Sequence, residues 1–272
     1  MKNSLVSIII PTHNRVDRLK RAIASVEAQD YLSIELLVVD DGSHDGTAEF
    51  LKTYMSSRSF RWFRHQKPLG ACAARNWGIS EATGEYVAFL DDDDCFAKSR
   101  VSKCLLALNE KDAAVTTWDE FISDTGSVGV WKKPSLIALE QLLFRNRVGN
   151  TILVKTEYLR AIDGYDLSLT SAQDHDLVIR LAYEFGPIRT VKETLYQIDV
   201  ADENSRITTS HKAWVGYYDC YVKHKAIMTV RQRRSNLYTV LKKQGKSKLT
   251  HLLFLVPIRF WPTELIDYFT SR

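Results

Sequence analysis

Only four cysteines occur in the 272 residues, Cys72, Cys95, Cys104 and Cys220, and none stand as a CxxC pair. No His/Cys cluster has zinc spacing, so a structural zinc site is excluded, and reduced thiols in a cytoplasmic protein are the simplest reading. Long apolar runs are also missing. The longest, residues 252–258, falls far short of the roughly 20 residues that span a bilayer. The chain starts Met1-Lys2-Asn3-Ser4 and runs straight into a strand-like segment, so no signal peptide is expected. No GxGxxG follows that first strand and no GxxxxGK[ST] occurs anywhere, which removes the standard dinucleotide and P-loop fingerprints. An acidic run begins at Asp91, but the sixth position of an EF-hand loop there would be Phe96 instead of Gly, so that calcium motif is excluded too. Internal repeats and low-complexity segments are absent.

What remains is an ordinary globular composition, 45% hydrophobic and 26% charged, enough to bury a sizeable core. The net charge of +4 is unevenly spread. Residues 201–272 hold 13 Lys and Arg against 5 Asp and Glu, a net of +8, which leaves −4 for the first 200. A basic tail on a mildly acidic body suits an anionic partner surface, a membrane or a nucleic acid. No recognisable nucleic-acid motif accompanies it, so nucleic acid is not expected as a partner.

Strand and helix patterns alternate. Residues 5–10 (LVSIII), 35–39, 61–64 and 86–90 read as buried strands, with amphipathic helices between them, the first capped by Asp17 and carrying Leu19, Ile23 and Val26. This pattern predicts an α/β fold with a Rossmann-like, mostly parallel sheet flanked by helices. In such sheets ligands bind beyond the carboxyl ends of the strands. Three polar loops should therefore converge: residues 11–15, 40–43 and 91–94. The last is four consecutive carboxylates, which a fold tolerates poorly without a cation. In an extended segment Asp91 and Asp93 share a side, and such oxygen ligands suit Mg²⁺ or Mn²⁺. A solvated acidic turn is the plainer alternative for the run by itself.

The motifs occur in a telling order. Ser7-Ile8-Ile9-Ile10-Pro11-Thr12-His13-Asn14-Arg15 is followed by Val38-Val39-Asp40-Asp41-Gly42-Ser43 with Asp45-Gly46-Thr47. Then come Gly70 with Ala74-Arg75-Asn76-Trp77-Gly78-Ile79, Phe89-Leu90-Asp91-Asp92-Asp93-Asp94, and Gly164-Tyr165-Asp166 with Gln173-Asp174-His175-Asp176-Leu177. Over roughly residues 4–200 this resembles the family 2 glycosyltransferases of bacterial cell-surface polysaccharide type. The resemblance implies a GT-A fold, a nucleotide-sugar donor (commonly UDP-linked), a divalent metal, Mn²⁺ or Mg²⁺, and inversion at the anomeric carbon. It implies a glycan or lipid-linked glycan as acceptor.

Residue roles follow from the same resemblance. Asp41 matches the acid that pairs with the nucleobase, though Asp-Gly-Ser also suits a turn. Pro11, Thr12 and His13 fall on the donor loop, with His13 where a side chain stacks on the base. Arg15 suits a phosphate and equally suits solvent. Asp91 and Asp93 match the metal-binding pair, with Asp93 as the direct ligand, Asp91 on the ribose or a metal-bound water, and Asp92 and Asp94 as supporting charges. Gly70 and Arg75 match donor-binding positions, yet a helix-start glycine and a structural arginine account for them as well. Asp174 matches the general base, with an N-cap role as the competing reading. The relatives' Glu before that Asp is Gln173 here. Asp176 and Arg180 read as an ordinary surface pair. Trp118, at the end of a strand over residues 113–118, suits a sugar ring or the core, and a further strand is expected over residues 149–154.

We read residues 1–205 as the catalytic domain, with nucleotide-sugar binding in 1–118 and the acceptor side in 119–205. Residues 206–272 form a basic, amphipathic helical C-terminal extension. Its lysines at 242–248 beside Leu252, Phe254, Trp261, Tyr268 and Phe269 suit an anionic membrane surface, through 242–269, on the inner face of the cell membrane. Packing back on the catalytic domain, or a dimer contact, fits the same pattern. A nucleotidyltransferase, or a nucleotide- or glycan-binding module without turnover, is the alternative function.

Overall fold

Strand β1 (Val6–Thr12) is the segment VSIIIPT, and all of it is buried. A strand apolar along its length needs cover on both faces. In the computed structural model, which describes residues 4–57, 60–201, 213–262 and 264–265, it has that cover. Ile9 packs on one side with Leu37, Val87 and Phe89. Ile8 and Ile10 pack on the other with Leu36, Val38 and Leu90. Strands β2 (Ile34–Asp40), β3 (Arg61–Arg64) and β4 (Tyr86–Phe89) run parallel with it in the order β3-β2-β1-β4.

Helices α1 (Val16–Glu27), α2 (Thr47–Ser57) and α3 (Ala71–Glu81) connect them. α1 buries Leu19, Ile23 and Val26 on one sheet face, and α3 buries Ile79 on the other. The expected Asp17 cap is corrected: Asp17 lies inside the first turn of α1 and pairs with Lys20 at 2.8 Å. The Val16 N–H is met instead by Asp45 from the next loop, at 2.9 Å, and the other oxygen of Asp45 accepts from Thr47 to start α2.

The second half of the sheet is mixed. It comprises β5 (Cys95–Phe96), helix α4 (Arg100–Ala107), β6 (Ala114–Ser123), β7 (Gly126–Trp131), β8 (Leu136–Ile137), α5 (Leu139–Leu142), β9 (Ile152–Lys155), α6 (Thr156–Ala161), α7 (Gln173–Phe185) and β10 (Ile188–Asp199). The order continues β4-β9-β6-β10-β5, with β9 antiparallel to both neighbours and β10 parallel to β6. So the helix-flanked sheet is as expected, and its parallel part is the half that carries the three loops. The strand expected from residue 149 begins only at Ile152. Asn146 Oδ1 accepts from the Val148 and Gly149 N–H groups, both at 2.9 Å, and bends that segment into a turn. β10, the longest strand, is unanticipated, because its pairing shifts register at Thr194 and so breaks the period-two pattern.

Beyond residue 212 come α8 (Ala213–His224), α9 (Val230–Lys243) and α10 (Leu249–Leu255). Thr229 caps α9 reciprocally with Gln232. Gly216 of α8 lies so close to Ser171 that a Cβ there would fall 2.3 Å from the Ser171 nitrogen, so only glycine lets α8 approach the start of α7. Leu252, Val256 and Phe260 are buried with Tyr238 and with Phe144 of the preceding region. The expected membrane face thus packs back along one side, while Leu253, Phe254 and Ile258 stay exposed. Tyr268 and Phe269 lie outside the described residues. No helix among the described residues is long and apolar enough to cross a membrane.

Candidate active site

The carboxyl ends of β1, β2 and β4 bring the three loops together. Thr12 Oγ1 donates to Asp92 Oδ2 at 2.8 Å. Arg15 bridges Asp92 at 3.1 Å and Asp93 at 2.8 Å, and Arg18 adds a longer contact to Asp93 at 3.7 Å. The Asp41 N–H donates to the Thr12 carbonyl, and His13 Nδ1 donates to the Asp41 carbonyl at 2.8 Å. Pro11 is buried in β1 opposite Val39. The Asp41 carboxylate faces inward and accepts from the N–H groups of Leu69 and Gly70 and from His65 Nδ1, all within 2.8 Å. Burial pushes its carboxyl up, but these donors outweigh that and hold it below the usual range. Asp41 therefore pins the loop leading to Gly70, which caps α3 with φ of 95°. Further bonds to a nucleobase would use the lone pairs that these donors leave.

The acidic loop is electrostatically loaded. Burial pushes the Asp92 carboxyl up to about 6, against the pull of Arg15. Asp93 is raised by burial and by the charge of Asp91. Asp94 is raised further, by burial and then by Asp91 and Asp93, and its Oδ1 accepts from the Asp199 N–H at 3.0 Å. Asp91 Oδ1 accepts from Arg75 at 2.5 Å and from Asn150 at 3.1 Å. Arg75 in turn stacks on Tyr165, and the charge of Asp91 overcomes its burial to raise it. Among the described residues no group of three or more His, Cys, Asp or Glu forms a ready cation cage. Two carboxylates that repel one another at a loop tip do suit a hard cation that completes its shell with phosphate oxygens and water. Asp91 and Asp93 fit such a group, with Arg15 and Arg18 as the charges that neutralise the loop.

Across the site stands α7. Its N-cap position is Ala172, and no side chain caps it. Asp174 lies in the first turn, half-buried, and Oδ2 accepts from Asn146 at 2.8 Å. The cap reading of Asp174 is therefore corrected: its carboxylate does another job. Asp176, two residues on, is no surface residue. It is fully buried and bonds His224 at 2.8 Å, Lys223 at 2.9 Å and Arg180 at 2.8 Å. Burial alone would raise Asp176, yet the His224 hydrogen bond and the two cations hold it far below the usual range. It ties α7 to α8. β6 runs on past the expected end at 118, so Asp119 lies within the strand, sealed against Lys133 at 2.6 Å with both groups fully buried, and Trp118 spends its N–H on the Lys133 carbonyl. Neither acid is open to a substrate.

Some site residues carry no sequence signal. One turn serves both acids, with Asn146 on Asp174 and Asn150 on Asp91. Cys72 is raised by burial and also feels both Asp174 and Asp91. Tyr217, from the extension, is pushed up to about 12 by burial and by Asp174. Tyr196 of the unanticipated β10 accepts from the Asp91 N–H at 3.3 Å. An Arg-Asn-Arg triplet or a lone Tyr gives no hint of such placement.

Comparison with known proteins agrees with this geometry. The Glycosyl transferase family 2 model matches residues 7–163. The chain is 32% identical to an Escherichia coli K12 protein named as a colanic acid biosynthesis glycosyl transferase, WcaA, over 95% of this chain and 96% of that one. Among solved structures it resembles Staphylococcus aureus TarS 1-349 in complex with UDP-GlcNAc, with a TM-score of 0.71 and 18% identity over 95% of this chain and 78% of the other. It also resembles the mannosyltransferase PcManGT of Pyrobaculum calidifontis in complex with GDP-Man and Mn²⁺, with a TM-score of 0.62 and 15% identity over 93% and 78%. The helix-flanked sheet is thus of GT-A type, and the chain belongs to glycosyl transferase family 2.

Proposed function

We propose that the chain is an inverting transferase that moves a sugar from a UDP-sugar to a glycan or lipid-linked glycan in surface polysaccharide biosynthesis. The observation that supports this reading is the turn over residues 146–150, which bonds Asp174 through Asn146 and Asp91 through Asn150. Asp174 takes the proton from the acceptor hydroxyl as that oxygen attacks the anomeric carbon. Asn146 keeps its carboxylate aimed. Asp93, with Asp91, would hold Mn²⁺ or Mg²⁺, whose contribution when bound is to neutralise the departing diphosphate. Thr12, His13, Arg15, Asp41, Gly70 and Arg75 line the donor side and hold the reactants in line. Residues 1–118 then serve the donor and 119–205 the acceptor. The UDP-GlcNAc complex of TarS supports a UDP-sugar, and the name of WcaA supports a surface polysaccharide. The exposed Leu253, Phe254 and Ile258 in the basic extension support a peripheral place on the cytoplasmic side of the membrane.

A panel of nucleotide sugars, scored by release of UDP or GDP with Mn²⁺ and with EDTA, tests the reading. One UDP-sugar should release UDP only with the metal. Release of pyrophosphate from a nucleoside triphosphate would instead reveal attack at phosphorus and overturn the reading.

A further inference from the structure

Arg145 and Arg147 flank Asn146, the residue that donates to Asp174. Arg259, from the C-terminal extension, reaches the same place. All three guanidinium groups lie over the ring of Phe260, at 4.0, 5.6 and 4.8 Å from its centre. Arg259 also sits 4.6 Å from the centre of the Phe144 ring. Arg147 is held below the usual arginine range by burial and by the charges of Arg145 and Arg259. Arg145 has Glu264 at 3.4 Å. Among the described residues, no carboxylate pairs with Arg147 or Arg259. Like charges gathered this closely cost stability, and an anion relieves them. Arginine forks on aromatic faces are already oriented for phosphate oxygens.

A groove of about 620 Å³ adjoins the triad and shares Arg259 and Phe144 with it. Arg231 and Arg234 line it, and so do Phe254, Pro257 and Ile258. Phe254 and Ile258 are 78% and 74% exposed, which soluble packing alone gives no reason for. A free anion would leave these apolar groups unused, and a purely apolar ligand would bring no charge to Arg147 and Arg259. One amphiphile satisfies both.

We propose that the triad and groove bind the phosphate or diphosphate of a lipid-linked acceptor. Arg145, Arg147 and Arg259 take the phosphate oxygens, and Phe254, Pro257 and Ile258 take the start of the hydrocarbon tail. This rests on Asp174 as the acceptor-side base, because Asn146 is what sets the triad beside it. The short path from triad to base suits a short saccharide between phosphate and attacking hydroxyl.

The full chain is titrated with farnesyl diphosphate, inorganic pyrophosphate and farnesol, all in EDTA so that no cation holds phosphate at Asp91 and Asp93. Farnesyl diphosphate should bind tightest, pyrophosphate more weakly, and farnesol without saturation. Arg147→Gln with Arg259→Gln should weaken farnesyl diphosphate at least about tenfold, as expected for losing charged hydrogen bonds to phosphate. Arg259→Gln alone changes an exposed side chain, keeps the fold and should show a smaller loss. Equal affinity in wild type and either variant would overturn the proposal. So would binding of phosphatidylglycerol vesicles without binding of farnesyl diphosphate, since the groove would then meet a membrane surface only. UDP is titrated separately with Mn²⁺. Its failure in wild type, with farnesyl diphosphate behaving as expected, removes the donor reading and leaves the lipid site standing.

Discussion

The two sides of the active site hold opposite surpluses of charge. On the donor side, Asp91, Asp92, Asp93 and Asp94 stand in a row, and Arg15, Arg18 and Arg75 answer them incompletely. Burial and mutual repulsion raise Asp92, Asp93 and Asp94. On the proposed acceptor side the sign reverses: Arg145, Arg147 and Arg259 crowd one aromatic ring, with Glu264 3.4 Å from Arg145. Neither surplus helps the folded chain by itself. Each is the kind of strain that a ligand of the opposite sign removes, a cation with its diphosphate on one side and an acceptor phosphate on the other. A second contrast lies within α7. Asp176 spends its charge inside the protein, on Lys223, Arg180 and the His224 ring, whereas Asp174 accepts from the Asn146 amide.

The sharpest test of that contrast is Asp174→Asn. A general base contributes about 10²–10⁴-fold to rate, and Asn cannot take a proton at neutral pH. Transfer should fall at least about a hundredfold while melting temperature and UDP binding stay near wild type. Near-normal turnover would remove Asp174 as the base, and the sealed Asp176 and Asp119 offer no replacement.

Asp176→Ala should do the reverse. Leaving His224, Lys223 and Arg180 without their shared carboxylate should cost about 3–5 kcal/mol of stability, read by denaturant unfolding. A small loss would mean that Asp176 does little to hold α8 in place.

Asp93→Ala tests the donor side. Calorimetric titration of UDP should give the same weak affinity with Mn²⁺ as wild type gives with EDTA, a loss of about tenfold or more by the scale of one charged contact. Asp92→Ala should do much less, because Asp92 is turned inward to Thr12 and Arg15. Equal UDP affinity for wild type with and without metal would remove the cation from the account.

The smallest effect concerns pH. Hydrogen bonds from Lys223 and Ser168 hold the Asp166 carboxyl down at about 2, which ties α8 to the loop before α7. Because the folded value is depressed, this tie is present above about pH 4 and is lost as pH falls toward 2. Solvent screening keeps it to about 1 kcal/mol or less. Wild type should therefore lose slightly more stability than Asp166→Asn between those pH values, and parallel curves would show that the tie contributes nothing.

The parallel half of the sheet and its loops are legible in the residue pattern. Nearly all-apolar strands such as residues 6–10 can only be buried between helices, and the polar residues right after them can only lie at the strand ends. The meeting of the loops at 11–15 and 91–94 follows from that alone, but the extended segment expected over residues 91–94 is a turn, closed by the Asp94 N–H donating to the Asp91 carbonyl at 3.0 Å. The mixed half depended on tertiary contacts, since β10 alternates imperfectly and pairs through register shifts, and the turn over residues 146–150 exists because Asn146 holds it. Whether an acid is sealed or open was likewise settled in three dimensions. Asp174 and Asp176 differ by two positions in one helix, so their surroundings point in different directions, and only the packing of α8 and of the 146–150 turn gave one of them Lys223, Arg180 and His224 and the other the Asn146 amide. The same holds for Arg259, which lies more than a hundred residues from Arg145 and Arg147 in the chain and shares a ring with them only because α10 folds back on Phe144.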